Sequence, residues 1–152
     1  MLFPPKRRGT GGRSLRPPVA ANPNRRGPMQ VLIVEDHQNS CEQLKRCLAH
    51  HDHDVTTAGD MRTAVQYLDE RQFDAIISDI ALPDGTGYAL ISQVHRRGLD
   101  PLCIAVSGYP FPPDVREPGA TGFHYHVQKP LDWAHICSLL KWTSRLVREK
   151  EL

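Results

Sequence analysis

Short apolar runs alternate along the chain with segments whose apolar residues recur at helical spacing. The runs around Val31, Ala75 and Leu102 are continuously hydrophobic, which is typical of strands covered on both faces of a sheet. Strands that alternate with helices predict parallel βαβ units and a five-stranded, doubly wound α/β sheet. The predicted strands run from Val31 to Val34, from Asp54 to Ala58, from Ala75 to Asp79, from Leu102 to Val106 and from Phe123 to Gln128.

Amphipathic helices are predicted between these strands and after the last one. The region of the fourth helix is irregular. Pro113 can open a helix in its first turn, but Pro118 and Gly119 would stop or kink it, so we expect a short or distorted helix there. The other helices are predicted from about Gln38 to His50, from a cap at Asp60, from about Gly87 to Arg96, and from a cap at Asp132.

The first 28 residues differ in composition from the rest of the chain. They hold six prolines, four glycines and seven basic residues without an acid, so they carry +7 and the remainder −5 of the net +2. Such a segment buries too little apolar surface to offset its ordering entropy, and we expect a disordered tail. A basic arm for nucleic acid is one interpretation. Two simpler interpretations are a solvated tail without a partner and translation that begins at Met29.

Several classes of protein are not supported by the sequence. No apolar run approaches the roughly 18 residues that cross a membrane, and no apolar region follows the basic start as in a secretory signal. GxGxxG and GxxxxGK[ST] motifs are absent, which argues against nucleotide binding of those types. The four cysteines have no CxxC spacing and are interpreted as buried hydrophobes or ordinary thiols. We therefore expect a cytoplasmic protein without a disulfide framework.

Polar residues follow four of the predicted strands. Glu35-Asp36 follows the first strand, Asp79 ends the third, Ser107 follows the fourth and Lys129 follows the fifth. These strand ends lie along one edge of a doubly wound sheet. Three neighbouring carboxylates repel unless a cation such as Mg²⁺ neutralises them, whereas a lysine and a hydroxyl suit an oxyanion. The set is equipped for phosphoryl transfer, with Asp79 as the predicted reactive residue.

Five short motifs carry these residues, namely Glu35-Asp36, Asp79, Leu82-Pro83-Asp84-Gly85, Ser107-Gly108 and Lys129-Pro130. In order and approximate spacing they resemble the receiver domain of response regulators in two-component signalling. The resemblance covers about Gln30 to Val147 and implies a flavodoxin-like sheet with strand order 2-1-3-4-5. We then expect a stand-alone receiver domain over residues 29–150, with no output domain.

The resemblance implies that Asp79 accepts a phosphoryl group from a phosphohistidine on a histidine kinase or a histidine phosphotransfer protein. Asp36, Asp79 and the backbone carbonyl of Ala81 would hold Mg²⁺, with Glu35 acting mainly through water. Lys129 would pair with the phosphoryl group. The product would be an aspartyl-phosphate.

The resemblance also implies a conformational switch. Ser107 would move to hydrogen-bond the phosphoryl group, and a residue three before the lysine, usually aromatic in the family, would then turn inward. His126 stands at that position. It either couples the switch to pH, since imidazole titrates near neutrality, or fills the same pocket as a planar ring, which is the simpler interpretation. The Lys129-Pro130 peptide is commonly cis in this family.

Four functions compete on the sequence alone. The first is a phosphoacceptor that switches a protein-interaction surface and is not an enzyme in the usual sense. The sequence leaves open both its downstream target and whether it forms a homodimer. The alternative is a receiver-like module that binds protein without phosphorylation, which the interrupted fourth helix favours and the intact acids oppose. A phosphohydrolase is disfavoured because Ala81 stands where aspartate-nucleophile phosphatases carry a second Asp. Nucleic-acid binding would rest only on residues 1–28.

Overall fold

A five-stranded parallel sheet lies at the centre of the structure. The computed structural model describes residues 29–50, 53–116, 120–132 and 134–141, so the predicted disordered tail lies outside the described residues. The strands are β1 (Gln30–Val34), β2 (Asp54–Ala58), β3 (Ala75–Asp79), β4 (Leu102–Ser107) and β5 (Tyr125–Gln128). Their order in the sheet is β2-β1-β3-β4-β5, which confirms the predicted doubly wound fold.

The helices follow the predicted pattern closely. Asp60 caps the second helix by accepting a hydrogen bond from the backbone N–H of Thr63 at 2.7 Å. Asp132 caps the last helix in the same way, with its Oδ1 accepting from the backbone N–H of Ala134 at 3.1 Å. The helices are α1 (Gln38–His50), α2 (Met61–Glu70), α3 (Gly87–Arg96) and α4, of which residues 134–141 are described.

Within the described residues of the fourth helical region, the only helical element is a 3₁₀ turn over Pro113–Arg116. Pro113 opens this turn, as its fixed φ angle favours. The predicted stop at Pro118 and Gly119 lies outside the described residues. The expectation of a short helix is therefore confirmed in this part of the fold.

The predicted start of the last strand was two residues too early. Phe123 is buried in the core, but its backbone N–H bonds to the hydroxyl of Thr121. Gly122, just before it, has a φ of +88°, so the chain is still turning there. Pairing with β4 begins only at Tyr125, opposite Ile104.

Alternating residues of the strands build two hydrophobic cores, one on each face of the sheet. Val31 and Ile33 of β1 point to the face covered by α1 and α4. Leu32 and Val34 point to the opposite face, covered by α2 and α3. The period of two along a strand explains this division, and it also explains why the central strands are apolar without interruption.

None of the helices in the described part of the chain has both the length and the apolar character needed to cross a membrane.

Candidate functional site

The strand register brings four of the predicted site residues to one edge of the sheet. Val34 pairs with Ser78, so Glu35 emerges beside Asp79. Asp79 in turn pairs with Val106, the residue before Ser107. The backbone N–H of Lys129 donates to the carbonyl of Ser107 at 2.7 Å, which places the end of β5 against the end of β4. Parallel pairing therefore gathers residues that are widely separated along the chain.

Lys129 bridges two buried carboxylates at this edge. Its Nζ donates to Glu35 Oε2 at 2.7 Å and to Asp79 Oδ2 at 3.0 Å. Glu35 and Asp79 are each only 6% exposed, so the ammonium compensates charges that water does not solvate well. Lys129 therefore contacts the carboxylate that the sequence predicts to be the reactive group. The contact with Glu35 is an additional feature of the site.

These two ion pairs change the pKa of the Lys129 ammonium. Burial acts to lower the pKa of the Lys129 ammonium, but hydrogen bonding and charge attraction from Glu35 and Asp79 outweigh it and raise that pKa above its ordinary value. The protein therefore holds Lys129 in its charged form. A permanent positive charge beside Asp79 suits the binding of an oxyanion.

A cluster of possible cation ligands lies next to this lysine. Glu35, Asp36, His37 and Asp79 each place one ligand atom within 4.8 Å of the others. Three of the four groups are carboxylates, and oxygen donors of this kind suit a hard divalent cation such as Mg²⁺. The donor set therefore fits the ion that the sequence predicts. Asp36 is exposed, so this side of the cluster is open to solvent.

His37 is a member of the cluster that the sequence analysis did not single out. Its Nδ1 lies 3.0 Å from Glu35 Oε1 and 3.2 Å from Asp36 Oδ1. The hydrogen bond with Glu35, together with the charges of Asp36 and Glu35, raises the pKa of the imidazole. The only signal in the sequence is that His37 follows the two acids directly.

Asp79 is held in place by the loop that follows β3. Its Oδ1 accepts from the backbone N–H of Ala81 at 3.1 Å, and Ala81–Leu82 pairs with Gly85–Thr86 in a short antiparallel turn. Gly87 then starts α3 directly against the strand end. A Cβ at Gly87 would lie 2.5 Å from the carbonyl oxygen of Asp79, so only glycine permits this approach.

Asp84 of the same loop caps the neighbouring helix. Its Oδ1 accepts from the backbone N–H of Met61 at 2.8 Å and its Oδ2 from that of Arg62 at 3.0 Å. The first turn of α2 leaves these N–H groups without helical partners. A carboxylate at the N-terminus of a helix also interacts favourably with the positive end of the helix dipole. The sequence assigned Asp84 only to a turn. The structure gives it a second contact that ties the Asp79 loop to α2.

Ser107 and His126 occupy the neighbouring strands. The Ser107 hydroxyl, at the end of β4, accepts from the backbone N–H of Tyr109 at 3.1 Å. His126 lies in β5, with its Nε2 3.2 Å from the hydroxyl of Thr121. The His126 ring meets the ring of Phe111 edge-on at a centroid distance of 4.9 Å. It is thus a half-buried planar ring packed against an aromatic neighbour.

Comparison of the chain with models of known protein families shows which family has this arrangement. The model of the response regulator receiver domain matches residues 31–141, which include every residue of the site. The chain belongs to this family. The solved receiver domain of Methylobacillus flagellatus, described as CheY-like, is 29% identical; the match covers 76% of this chain and 98% of that one, with a TM-score of 0.68.

Two curated relatives differ in how much of their own length matches this chain. An uncharacterised 14.6 kDa protein of Leptolyngbya boryana is 26% identical over 115 residues, which cover 74% of this chain and 88% of the relative. A two-component response regulator of Arabidopsis thaliana is 30% identical over 117 residues, covering 71% of this chain but 20% of the relative. The receiver domain therefore spans only a fifth of the plant regulator.

Proposed function

We propose that this receiver domain, formed by about residues 29–150, is a phosphoacceptor whose reactive group is the carboxylate of Asp79. The observation that carries the proposal is the position of that carboxylate. It is buried at the end of a central strand, it lies 3.0 Å from the Lys129 ammonium, and it belongs to the acidic cluster. A carboxylate so placed faces a fixed positive charge and has acidic neighbours that suit a divalent cation.

The proposed reaction transfers a phosphoryl group from a phosphohistidine of a histidine kinase or a histidine phosphotransfer protein. An oxygen of Asp79 attacks the phosphorus, the new O–P bond forms as the P–N bond breaks, and the donor imidazole leaves. Lys129 pairs with an oxygen of the transferred group. The Lys129 ammonium also contacts Glu35. Phosphoryl transfer to Asp79 therefore changes the contacts that Lys129 makes with the ends of β1 and β3.

Mg²⁺ is the proposed cofactor of this transfer. Asp36, Asp79 and the carbonyl of Ala81 would hold the ion, with Glu35 contributing through water. When bound, the cation supplies positive charge against the oxygens of the transferring group. The proposal rests on the carboxylate-rich donor set, whose ligand atoms lie within 4.8 Å of one another.

The switch is proposed to run from Ser107 to His126. The Ser107 hydroxyl would leave the backbone N–H of Tyr109 and donate to the phosphoryl group. His126, packed against Phe111 and Thr121, would respond by turning inward. A protein-interaction surface near the end of β5 would change with it. The downstream partner recognises that surface.

A second candidate function is a protein-binding module that works without phosphorylation. The single 3₁₀ turn at Pro113–Arg116 favours it, because this region departs from a regular helix. Such a module would need neither Mg²⁺ nor a reactive Asp79. The two candidates therefore differ in whether the full chain takes up a phosphoryl group.

The test is phosphorylation of the full chain by acetyl phosphate and Mg²⁺, read by intact mass. We expect one phosphoryl group per chain, released by hydroxylamine and dependent on Mg²⁺. Asp79→Asn should give no adduct, because the amide is not a nucleophile. The amide oxygen can still accept the hydrogen bond from the backbone N–H of Ala81. Asp114→Asn is the matched control: it makes the same change at an exposed position in the 3₁₀ turn and should label like the wild type.

Phosphohistidine donors complete this test. A panel of phosphorylated histidine kinases and phosphotransfer proteins is used if acetyl phosphate gives no adduct. Failure of the whole panel would reject the phosphoacceptor proposal in favour of the binding module. An adduct that persists in Asp79→Asn would show that another residue is the acceptor.

A further inference from the structure

Two cysteines that are distant in sequence meet between α1 and α4. Cys47 Sγ and Cys137 Sγ lie 3.4 Å apart, although 90 positions separate the residues along the chain. Both side chains are half-buried. Cys137 packs against the core on the α1 face of the sheet. No feature of the sequence predicts this pair, because the two cysteines share no motif.

The other two cysteines have different surroundings. Cys41 and Cys103 are buried. The Cys103 thiol donates to the carbonyl of Pro101 at 3.4 Å, and burial raises its pKa, so it behaves as a small apolar residue with a satisfied S–H. They provide internal references for the reactivity of the first pair.

We propose that Cys47 and Cys137 are a redox-sensitive pair that closes to an intramolecular disulfide between α1 and α4. A disulfide requires a sulfur separation of about 2.05 Å, so the two sulfurs must approach by roughly 1.3 Å. Rotation of two half-buried side chains with small adjustments of the helices covers this distance. The bond would form between residues that already touch.

The oxidant in the proposed reaction is a peroxide. The Cys47 sulfur attacks one peroxide oxygen, the O–O bond breaks, and a sulfenic acid forms while the thiol proton goes to the other oxygen, which leaves as water. Cys137 sulfur then attacks Cys47 sulfur, the S–S bond forms and the S–O bond breaks, releasing a second water. In total two thiols lose two electrons and two protons, and the peroxide is reduced to two waters.

The surroundings of Cys137 assign the order of these steps. Burial first, and then the hydrogen bond with Cys47, raise the pKa of the Cys137 thiol to about 12. Cys137 therefore keeps its proton, and a protonated thiol is a poor nucleophile. We assign the first attack to Cys47 and the step that resolves the sulfenic acid to Cys137.

The cross-link would join the two helices that lead away from the site. Helix α1 begins soon after Glu35, and α4 begins soon after Lys129. These are the segments joined by the 2.7 Å ion pair at the strand ends. A disulfide between Cys47 and Cys137 would add a covalent connection between them and restrict their relative movement.

The test uses the purified full chain, reduced and then treated with hydrogen peroxide. Free thiols are blocked with N-ethylmaleimide in denaturant, and cross-links are located by peptide mass mapping. We expect a Cys47–Cys137 cross-linked peptide, and loss of these two free thiols at least tenfold faster than loss of Cys103. Dithiothreitol should restore both thiols. Cys41→Ala, a change in the same helix, should keep the cross-link, whereas Cys47→Ser should lose it.

A second measurement keeps the test independent of the variants. Amide hydrogen exchange in α1 and α4 of the wild-type chain should slow on oxidation and recover with dithiothreitol. The same peroxide treatment in urea should give less of the Cys47–Cys137 peptide than the folded chain does. The proposal is overturned by equal yields in the folded and unfolded chains, by cross-links only between chains, or by sulfinic acids at both positions without a disulfide.

Discussion

Lys129 is the residue on which the charge balance of the site depends. Its ammonium lies between Glu35 and Asp79, both of which are buried at the ends of neighbouring strands. Without it, two carboxylates would face each other with little water to separate their charges. The same ammonium that is proposed to meet the phosphoryl group therefore also stabilises the fold before any transfer takes place.

Replacement of Lys129 should therefore lower the stability of the fold. We expect Lys129→Met to lower the free energy of unfolding at neutral pH by roughly 1–3 kcal/mol, because it leaves two buried acceptors without their charged donor. Urea denaturation of the two proteins, followed by circular dichroism, measures the difference. Lys45→Met is the matched control, since it removes the same charge from an exposed position of α1.

The stability difference should also depend on pH in a defined direction. Folding raises the pKa of Lys129 above its ordinary value of 10.5, so the folded state binds the proton more tightly than the unfolded state. Its contribution is then complete below pH 10.5 and is lost as the pH rises through the folded-state pKa. The gap between wild type and Lys129→Met should therefore narrow in that alkaline range. A gap that widens there would contradict the assignment.

Gly87 illustrates a different kind of constraint at the residue scale. We expect Gly87→Ala to destabilise the chain by roughly 1–3 kcal/mol, since its Cβ would overlap the Asp79 carbonyl oxygen and force α3 away from the strand end. Thermal denaturation gives the comparison. Gly59→Ala is the control, because a Cβ there meets nothing within 4 Å. Equal effects of the two substitutions would show that the approach of α3 is not tight.

Among the elements, α2 depends on a residue outside its own sequence. The first turn is capped twice: by Asp60, which precedes the helix, and by Asp84 from the loop after β3. We expect Asp84→Ala to cost roughly 0.5–2 kcal/mol, as for other helix caps. Urea denaturation should report the loss, and the amides of Met61 and Arg62 should exchange faster with solvent.

The control for this prediction is another exposed acid. Glu42→Ala removes a charge of the same sign from α1 and should change stability by less than about 0.5 kcal/mol. If the amides of Met61 and Arg62 keep their protection in Asp84→Ala, the cap does not contribute as the structure indicates.

Local pattern explains why most elements could be predicted. Helix α1 has the predicted bounds, Gln38–His50, because its apolar residues recur at helical spacing and a buried face follows from that period. The last strand was misplaced by two residues because Phe123 is apolar and buried, like a strand residue, while Gly122 still turns the chain. Composition does not distinguish a buried loop residue from a buried strand residue.

Most members of the candidate site could be predicted, with the exception of His37, but the contacts between them could not. Parallel strands bring their carboxyl ends to one edge, so the proximity of Glu35, Asp79 and Lys129 follows from the element order alone. That Lys129 contacts both acids, and that Asp84 reaches the N-terminus of α2, depends on side-chain conformations and loop paths. Cys47 and Cys137 could not be paired for the same reason: their meeting follows from helix packing across the whole domain.

On the scale of the whole molecule, residues 1–28 differ in composition from the rest of the chain, with six prolines, four glycines and seven basic residues without an acid. Such a segment offers little apolar surface to bury. We therefore expect deletion of residues 2–26 to change the melting temperature by no more than about 2 °C, since well under 1 kcal/mol would be lost. Differential scanning calorimetry of both chains provides the measurement.

A core substitution provides the reference for that deletion. Ile33→Ala should lower stability by roughly 2–5 kcal/mol, because it removes a fully buried side chain from the central sheet. A fall of comparable size on deleting residues 2–26 would mean that the tail packs against the domain.

The ion pair between Glu35 and Lys129 joins the first strand to the last, across 94 positions of the sequence. Closing a loop of this length carries an entropy cost, and the lysine reaches the acids only when the last strand has paired with the sheet. A nascent chain, or one whose last strand has come loose, would present the acids without their lysine. The proposed phosphoacceptor site would thus be complete only in chains that have assembled their entire sheet.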